Sequence, residues 1–146
     1  MHGAQAYLKQ YRSTGLEGSV IDASPHKLIS LLLSGARERI ALAMTAMAEG
    51  RVAAKGEAIS RACAIIDSLR GSLDHSAGGD VAGSLEALYD YATRRLVEGN
   101  AGNDPAAFAE VDGLLAEVQS AWAAIPPELQ PKAGGPRCSP EPRQAR

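Results

Sequence analysis

Between Asp104-Pro105 and Pro126-Pro127 the chain places Phe108, Val111, Leu115, Val118, Trp122 and Ile125 alternately three and four residues apart. That spacing winds one apolar stripe along an α-helix. The ends of the stretch are marked as well. Asp before Pro supplies an N-cap with proline at the first helical position, and the double proline forbids continuation. A helix with one apolar stripe must bury it against another element. The same pattern recurs three times upstream, so the sequence points to a bundle.

Ser24-Pro25 repeats the cap-then-proline signal and opens a helix that runs to a glycine stop at Gly50. Leu28, Leu32, Ile40, Met44 and Met47 fall near one face, Gly35-Ala36 allows a close neighbour, and Arg37, Glu38 and Arg39 lie off the stripe. The next helix, VAAKGEAISRACAIIDSLRGSLD, carries Ile59, Ala62, Cys63, Ile66, Leu69 and Leu73. His75 to Gly79 (HSAGG) is a turn signal. The third helix is predicted to start at Asp80, to bury Val81, Leu85, Leu88, Ala92 and Leu96, and to end at Gly99-Asn100. Short connections between helices of similar length imply antiparallel neighbours.

The expected fold is therefore all-α, an antiparallel four-helix bundle over residues 23–125. A mobile N-terminal segment (1–22) with a short helical piece at AQAYLKQY precedes it, and a disordered Pro-rich tail (126–146) follows. Phe, Tyr and Trp make up only 4% of 146 residues, which suits close-packed Ala- and Leu-rich helices better than a β-sandwich.

Several function classes find no support. A net charge of −2 gives no basis for a nucleic-acid partner. No window reaches the roughly 18 apolar residues of a membrane span, and MHGAQAYLKQYRSTG lacks the layout of a signal peptide. With Cys63 on an apolar stripe and Cys138 in the tail, no disulfide is expected. The reading is a soluble cytosolic protein. A di-metal bundle enzyme needs inward carboxylates and Glu-x-x-His pairs. None occurs, and His2, His26 and His75 occupy a terminus, a first helical turn and a loop. Neither metal nor cofactor is expected. Ser24-Pro25-His26-Lys27 fits Ser-x-x-Lys but lacks companion motifs, and Ser24 reads better as a cap.

EALYDYATRRLVEGN (86–100) is more informative. Asp90 and Arg94 form an i,i+4 pair, Tyr91 can lie along Arg95, and Tyr89 shares a side with Leu85 and Leu96 as part of the core. A solvated helix face and a contact patch are both open readings, the second because interfaces favour Tyr and Arg.

ASPHKLISLLLSGA, AKGEAISRACAIIDSLRGSLD, GGDVAGSLEALYDYATRRLVEGN and EVDGLLAEVQSAW, in that order, resemble the FliS family of flagellin export chaperones. The resemblance covers about residues 4 to 125. It implies a cytosolic, non-enzymatic bundle that binds the C-terminal segment of flagellin, blocks premature polymerisation and presents it to the flagellar type III export gate. Tyr11 matches the family's aromatic residue for gate contact, with Leu8 beside it. Ile21, Tyr91, Arg95 and, as an exposed lysine, Lys55 are the candidate flagellin contacts. A homodimer is left open, and the other function classes weighed are an adaptor for other flagellar or secretion proteins and a metal-dependent bundle enzyme.

Overall fold

The computed structural model describes residues 24–130. Four helices fill them: α1 (Pro25–Ala48), α2 (Val52–Gly71), α3 (His75–Gly102) and α4 (Pro105–Ala123), followed by a 3-10 turn at Pro127–Leu129. Each helix packs against two others, α1 and α3 both lying against α2 and α4. Cross-contacts pair early residues of one helix with late residues of its neighbour, so the bundle is antiparallel. The expected N-terminal segment and the tail beyond Gln130 lie outside the described residues.

The caps explain where most helices begin and end. Ser24 Oγ accepts from the Lys27 N–H at 3.1 Å, with Pro25 in the first turn. At the other end of α1, Gly50 adopts φ +72. The Arg51 and Gly50 N–H groups reach back to Ala46 and Met47 carbonyls at 2.9 and 3.2 Å, the paired bonds of a glycine-terminated helix. Asp104 accepts from the Ala106 N–H at 3.1 Å and starts α4.

The third helix departs from expectation. It starts at His75 rather than at Asp80, because Asp74 Oδ1 takes the Ser76 and Ala77 N–H groups at 3.1 Å each. The anticipated turn at 75–79 is a helical turn followed by a kink at Gly79 (φ 51, ψ −123), a conformation open to glycine. The helix also continues past Gly99-Asn100. Asn103 closes it in the left-handed region (φ 50, ψ 50), and the Asp104 N–H bonds to Gly99 O at 2.9 Å.

Packing corrects the stripe of α3 too. The positions facing the core are Ala82, Leu85, Leu88, Tyr89, Ala92, Leu96 and Gly99, while Val81 is 68% exposed. The true stripe runs through small residues and a tyrosine. Among the described residues alanines supply eight of the twenty buried apolar ones, which draws the helix axes together. The closest approach is at Gly99, where an added Cβ would sit 2.8 Å from Ala107 Cβ and 3.0 Å from the Phe108 ring.

The α1–α4 seam carries polar ties along its length. Arg37 grips Asp112 through Nε at 2.8 Å and Gln119 through Nη1 at 2.9 Å, and Gln119 Nε2 donates to Ser34 Oγ at 2.7 Å. At the pole of the bundle His26 and Trp122 stack, centroids 4.9 Å apart and planes 8° from parallel. His26 Nε2–H donates to the Trp122 carbonyl at 2.8 Å, and Trp122 Nε1–H returns a bond to the His26 carbonyl at 2.9 Å. A carbonyl only accepts, so the proton sits on Nε2. His26 is therefore a clasp between the first turn of α1 and the last of α4.

Candidate functional site

Two adjoining surfaces of α3 gather the chemistry. On the α3–α4 side, Glu110 of α4 accepts from the Tyr91 hydroxyl at 2.5 Å and from Arg95 Nε at 2.9 Å. Arg95 Nη1 reaches Glu98 at 3.1 Å, and the Arg94 guanidinium lies 5.5 Å from the centre of the Tyr91 ring. The expected Asp90–Arg94 pair forms at 3.7 Å. Arg94, rather than Arg95, is the cation beside Tyr91, and Arg95 meets Tyr91 through the shared carboxylate.

Glu110 sets the electrostatics of this group. Its hydrogen bond pushes the Tyr91 phenol above the ordinary range. In return, the bonds from Tyr91 and Arg95 hold the Glu110 carboxyl below the usual carboxylate range. At neutral pH the network holds a neutral phenol, a carboxylate and a guanidinium. It fixes the rotamers of Tyr91 and Arg95 before any partner arrives, so less side-chain freedom is lost on binding.

On the α2–α3 side a shallow open cleft of about 180 Å³ is lined by Ile66, Asp67, Arg70, Tyr89, Asp90 and Thr93. Arg70 bridges the carboxylates on its rim, 3.0 Å from Asp67 and 3.7 Å from Asp90. Tyr89 was expected to be part core. It is 3% exposed, and burial pushes its phenol up to about 12. Thr93 Oγ1 donates to the Tyr89 carbonyl at 3.1 Å.

Lys55 is not the exposed contact residue that the sequence suggested. It is 4% exposed, and its ammonium donates to Asn100 O at 2.9 Å and to Asn103 Oδ1. The physical reason is the corner between α3 and α4. The last carbonyls of α3 lack intrahelical partners and carry the negative end of the helix dipole, and a cation there satisfies them. Lys55 positions that corner from α2. Leu8, Tyr11 and Ile21 lie outside the described residues.

Sequence reasoning missed Glu110, Arg70 and the His26–Trp122 clasp. Glu110 occupies an ordinary outward position of α4, so only its placement opposite Tyr91 reveals it. Cys63 is half-buried against the core, where desolvation raises its thiol and disfavours the reactive thiolate. Among the described residues no three His, Cys, Asp or Glu side chains converge on a point, and no helix is long and apolar enough to cross a membrane.

A bundle that offers pre-set aromatic and charged side chains on its outer helix faces has the build of a helical binding protein. Comparison with known families makes this specific. The model of the flagellar protein FliS family matches residues 7–129. The chain belongs to the FliS family. It is 45% identical over 122 residues to the flagellar secretion chaperone FliSB of Pseudomonas aeruginosa, covering 84% of this chain and 97% of that one. It is 43% identical over 122 residues to the flagellar secretion chaperone FliS of Salmonella typhimurium, covering 83% and 90%. With the FliS of Bacillus subtilis it shares 34% identity over 106 residues, 73% and 78% of the two chains.

Proposed function

We propose that this chain is a cytosolic export chaperone that binds the C-terminal segment of flagellin, keeps it from polymerising and helps deliver it to the flagellar type III export gate. The family match carries the reading: it runs from residue 7 to residue 129, across the bundle and most of the N-terminal segment, and the relatives are named flagellar secretion chaperones. Membership of a chaperone family implies binding rather than catalysis.

The surface of the bundle supports the reading. An unfolded segment can wrap a bundle and bury much area, while the cost of ordering it keeps the complex releasable. The Tyr91–Glu110–Arg95 group supplies pre-set contacts for such a segment. Tyr91, Arg95 and Ile21 are its proposed flagellin contacts, and Leu8 and Tyr11 its proposed gate contacts. Lys55 acts at one remove, by holding the α3–α4 corner.

Calorimetric titration with the C-terminal segment of the cognate flagellin tests the reading. The expected result is saturable one-to-one binding with a negative heat-capacity change. Absence of binding would overturn flagellin as the cargo, and a pull-down from motile cells would then identify the partner.

A further inference from the structure

The charges of the bundle are unevenly shared. Among the described residues fourteen carboxylates stand against nine lysines and arginines. Most of the carboxylates meet one of those cations or, like Asp74 and Asp104, cap a helix. Glu38, Asp80, Glu86, Glu117 and Glu128 do neither, and Glu86 faces His75 at 3.4 Å. All of these but Glu38 lie in the half of the bundle where α3 begins and α4 ends.

Two of them line one seam. Asp80 precedes Tyr91 by about three turns of α3 and so shares its edge of the helix. Glu117 follows Glu110 by about two turns of α4 and shares the edge of Glu110. The Tyr91–Glu110 bond closes the α3–α4 seam at its middle. Asp80 and Glu117 therefore stand on either side of the same seam nearer the pole, within about one turn of level. Here α3 is uncovered: from residue 75 to residue 87 only Ala82 is buried, and Val81 is 68% exposed. Like charges across an open seam favour a cation between them.

The chain carries such cations beyond this same pole. Residues 131–146 follow α4 and hold Lys132, Arg137, Arg143 and Arg146 against one carboxylate, Glu141. Their root is set by the 3-10 turn at Pro127–Leu129, after which Gln130 Nε2 donates to the Ile125 carbonyl at 2.9 Å. Because α3 and α4 pack directly, the seam opens about one helix spacing, roughly 10 Å, from the end of α4. A Pro-rich stretch at about 3.1 Å per residue reaches well past that distance. Tethering holds its cations near the seam at about millimolar effective concentration, so ion pairs that are weak one by one suffice. We propose that the chain's own basic segment, residues 131–146, docks on the poleward half of the α3–α4 seam, its arginines pairing with Asp80 and Glu117. The docked segment covers the seam next to the Tyr91–Glu110–Arg95 group. The docking is a property of the free chain and stands whatever its cargo.

In the test, the full-length chain with Cys63→Ala carries a nitroxide on Cys138, and its backbone amide signals are compared before and after reduction of the label. At low salt the signals of Asp80, Val81, Ser84 and Glu117 should lose most of their intensity, while those of Gly50 and Gly102 at the opposite pole keep theirs. The loss should vanish in about 1 M salt, where the screening length is about 3 Å, and in the Asp80→Asn, Glu117→Gln double variant. Loss spread evenly over the bundle, loss centred elsewhere, or loss that survives salt would overturn the proposal. A second comparison leaves Cys63 in place. Arg137→Gln with Arg143→Gln in the unlabelled chain should shift the amide signals of Asp80 and Glu117 and leave the opposite pole unmoved. Unshifted signals at both residues would overturn the docking equally.

Discussion

Replacing Gly99 by alanine tests the closest contact in the bundle. Two effects oppose each other. In a helix interior alanine is favoured over glycine by about 1 kcal/mol. Against that, the new Cβ would lie 2.8 Å from Ala107 Cβ and 3.0 Å from the Phe108 ring. Ala107 Cβ is fixed to the α4 backbone and cannot swing aside, so the helices must separate. Phe108 is fully buried and equally constrained. Overpacking of this kind costs about 1–3 kcal/mol, so the net change is a destabilisation of about 1 kcal/mol. Gly83 is the control. It lies on the exposed side of the same helix with nothing within 4 Å of an added Cβ, so Gly83→Ala should stabilise by about 0.5–1 kcal/mol. Thermal melts followed by far-ultraviolet circular dichroism should move in opposite directions, by roughly 4–8 °C per kcal/mol for a domain of this size. If Gly99→Ala raises the midpoint as far as Gly83→Ala does, α3 and α4 are not in contact at Gly99 and the packing argument is wrong.

Lys55→Met should cost about 1–3 kcal/mol in a denaturant titration, because it takes the buried ammonium from the half-buried Asn100 carbonyl and from Asn103 Oδ1. His26→Ala should shift the emission of Trp122, the only tryptophan, to longer wavelength as its ring loses its cover. An unchanged spectrum would dissolve the clasp. Glu110→Gln probes the α3–α4 network through pH. The Glu110 carboxyl is depressed in the folded state, so its contribution is present above the ordinary carboxylate range and is lost as pH falls through the folded value. The Tyr91 phenol is raised, so its contribution is present below the ordinary phenol range and is lost as pH rises through the folded value. The thermal midpoint of the Gln variant should depend less on pH at both extremes.

Signals held in neighbouring residues were legible in advance. Ser24, Gly50, Asp104 and Pro126 mark helix ends through bonds made or forbidden within a few residues, and the structure places the ends there. The α3 boundary was harder, because Asp74 and Asp80 are both competent caps and only packing selects between them. Its stripe was misread at Val81, and Ala82 and Gly99 do not look like core residues until a neighbour comes close enough to need them small. Lys55 shows the limit most plainly. Nothing near it in sequence marks it for burial, since its partners Asn100 and Asn103 lie at the far end of α3. The Tyr91–Arg95 surface was noticed from its residue types, while the carboxylate that organises it comes from another helix.

The His26–Trp122 clasp has a mechanical consequence. Because α1 begins where α4 ends, the described bundle is entered and left at the same pole. Tension applied between Ser24 and Ile125 would load the α1–α4 seam as a zip, parting the stacked rings first and the Gln119 and Asp112 ties to Arg37 after them. Tension between Ser24 and Asn103, at opposite poles, would load the same seam in shear and strain every tie together. The bundle should therefore yield at lower force along the first direction than along the second, a mechanical anisotropy set by one pair of rings and the position of two chain ends.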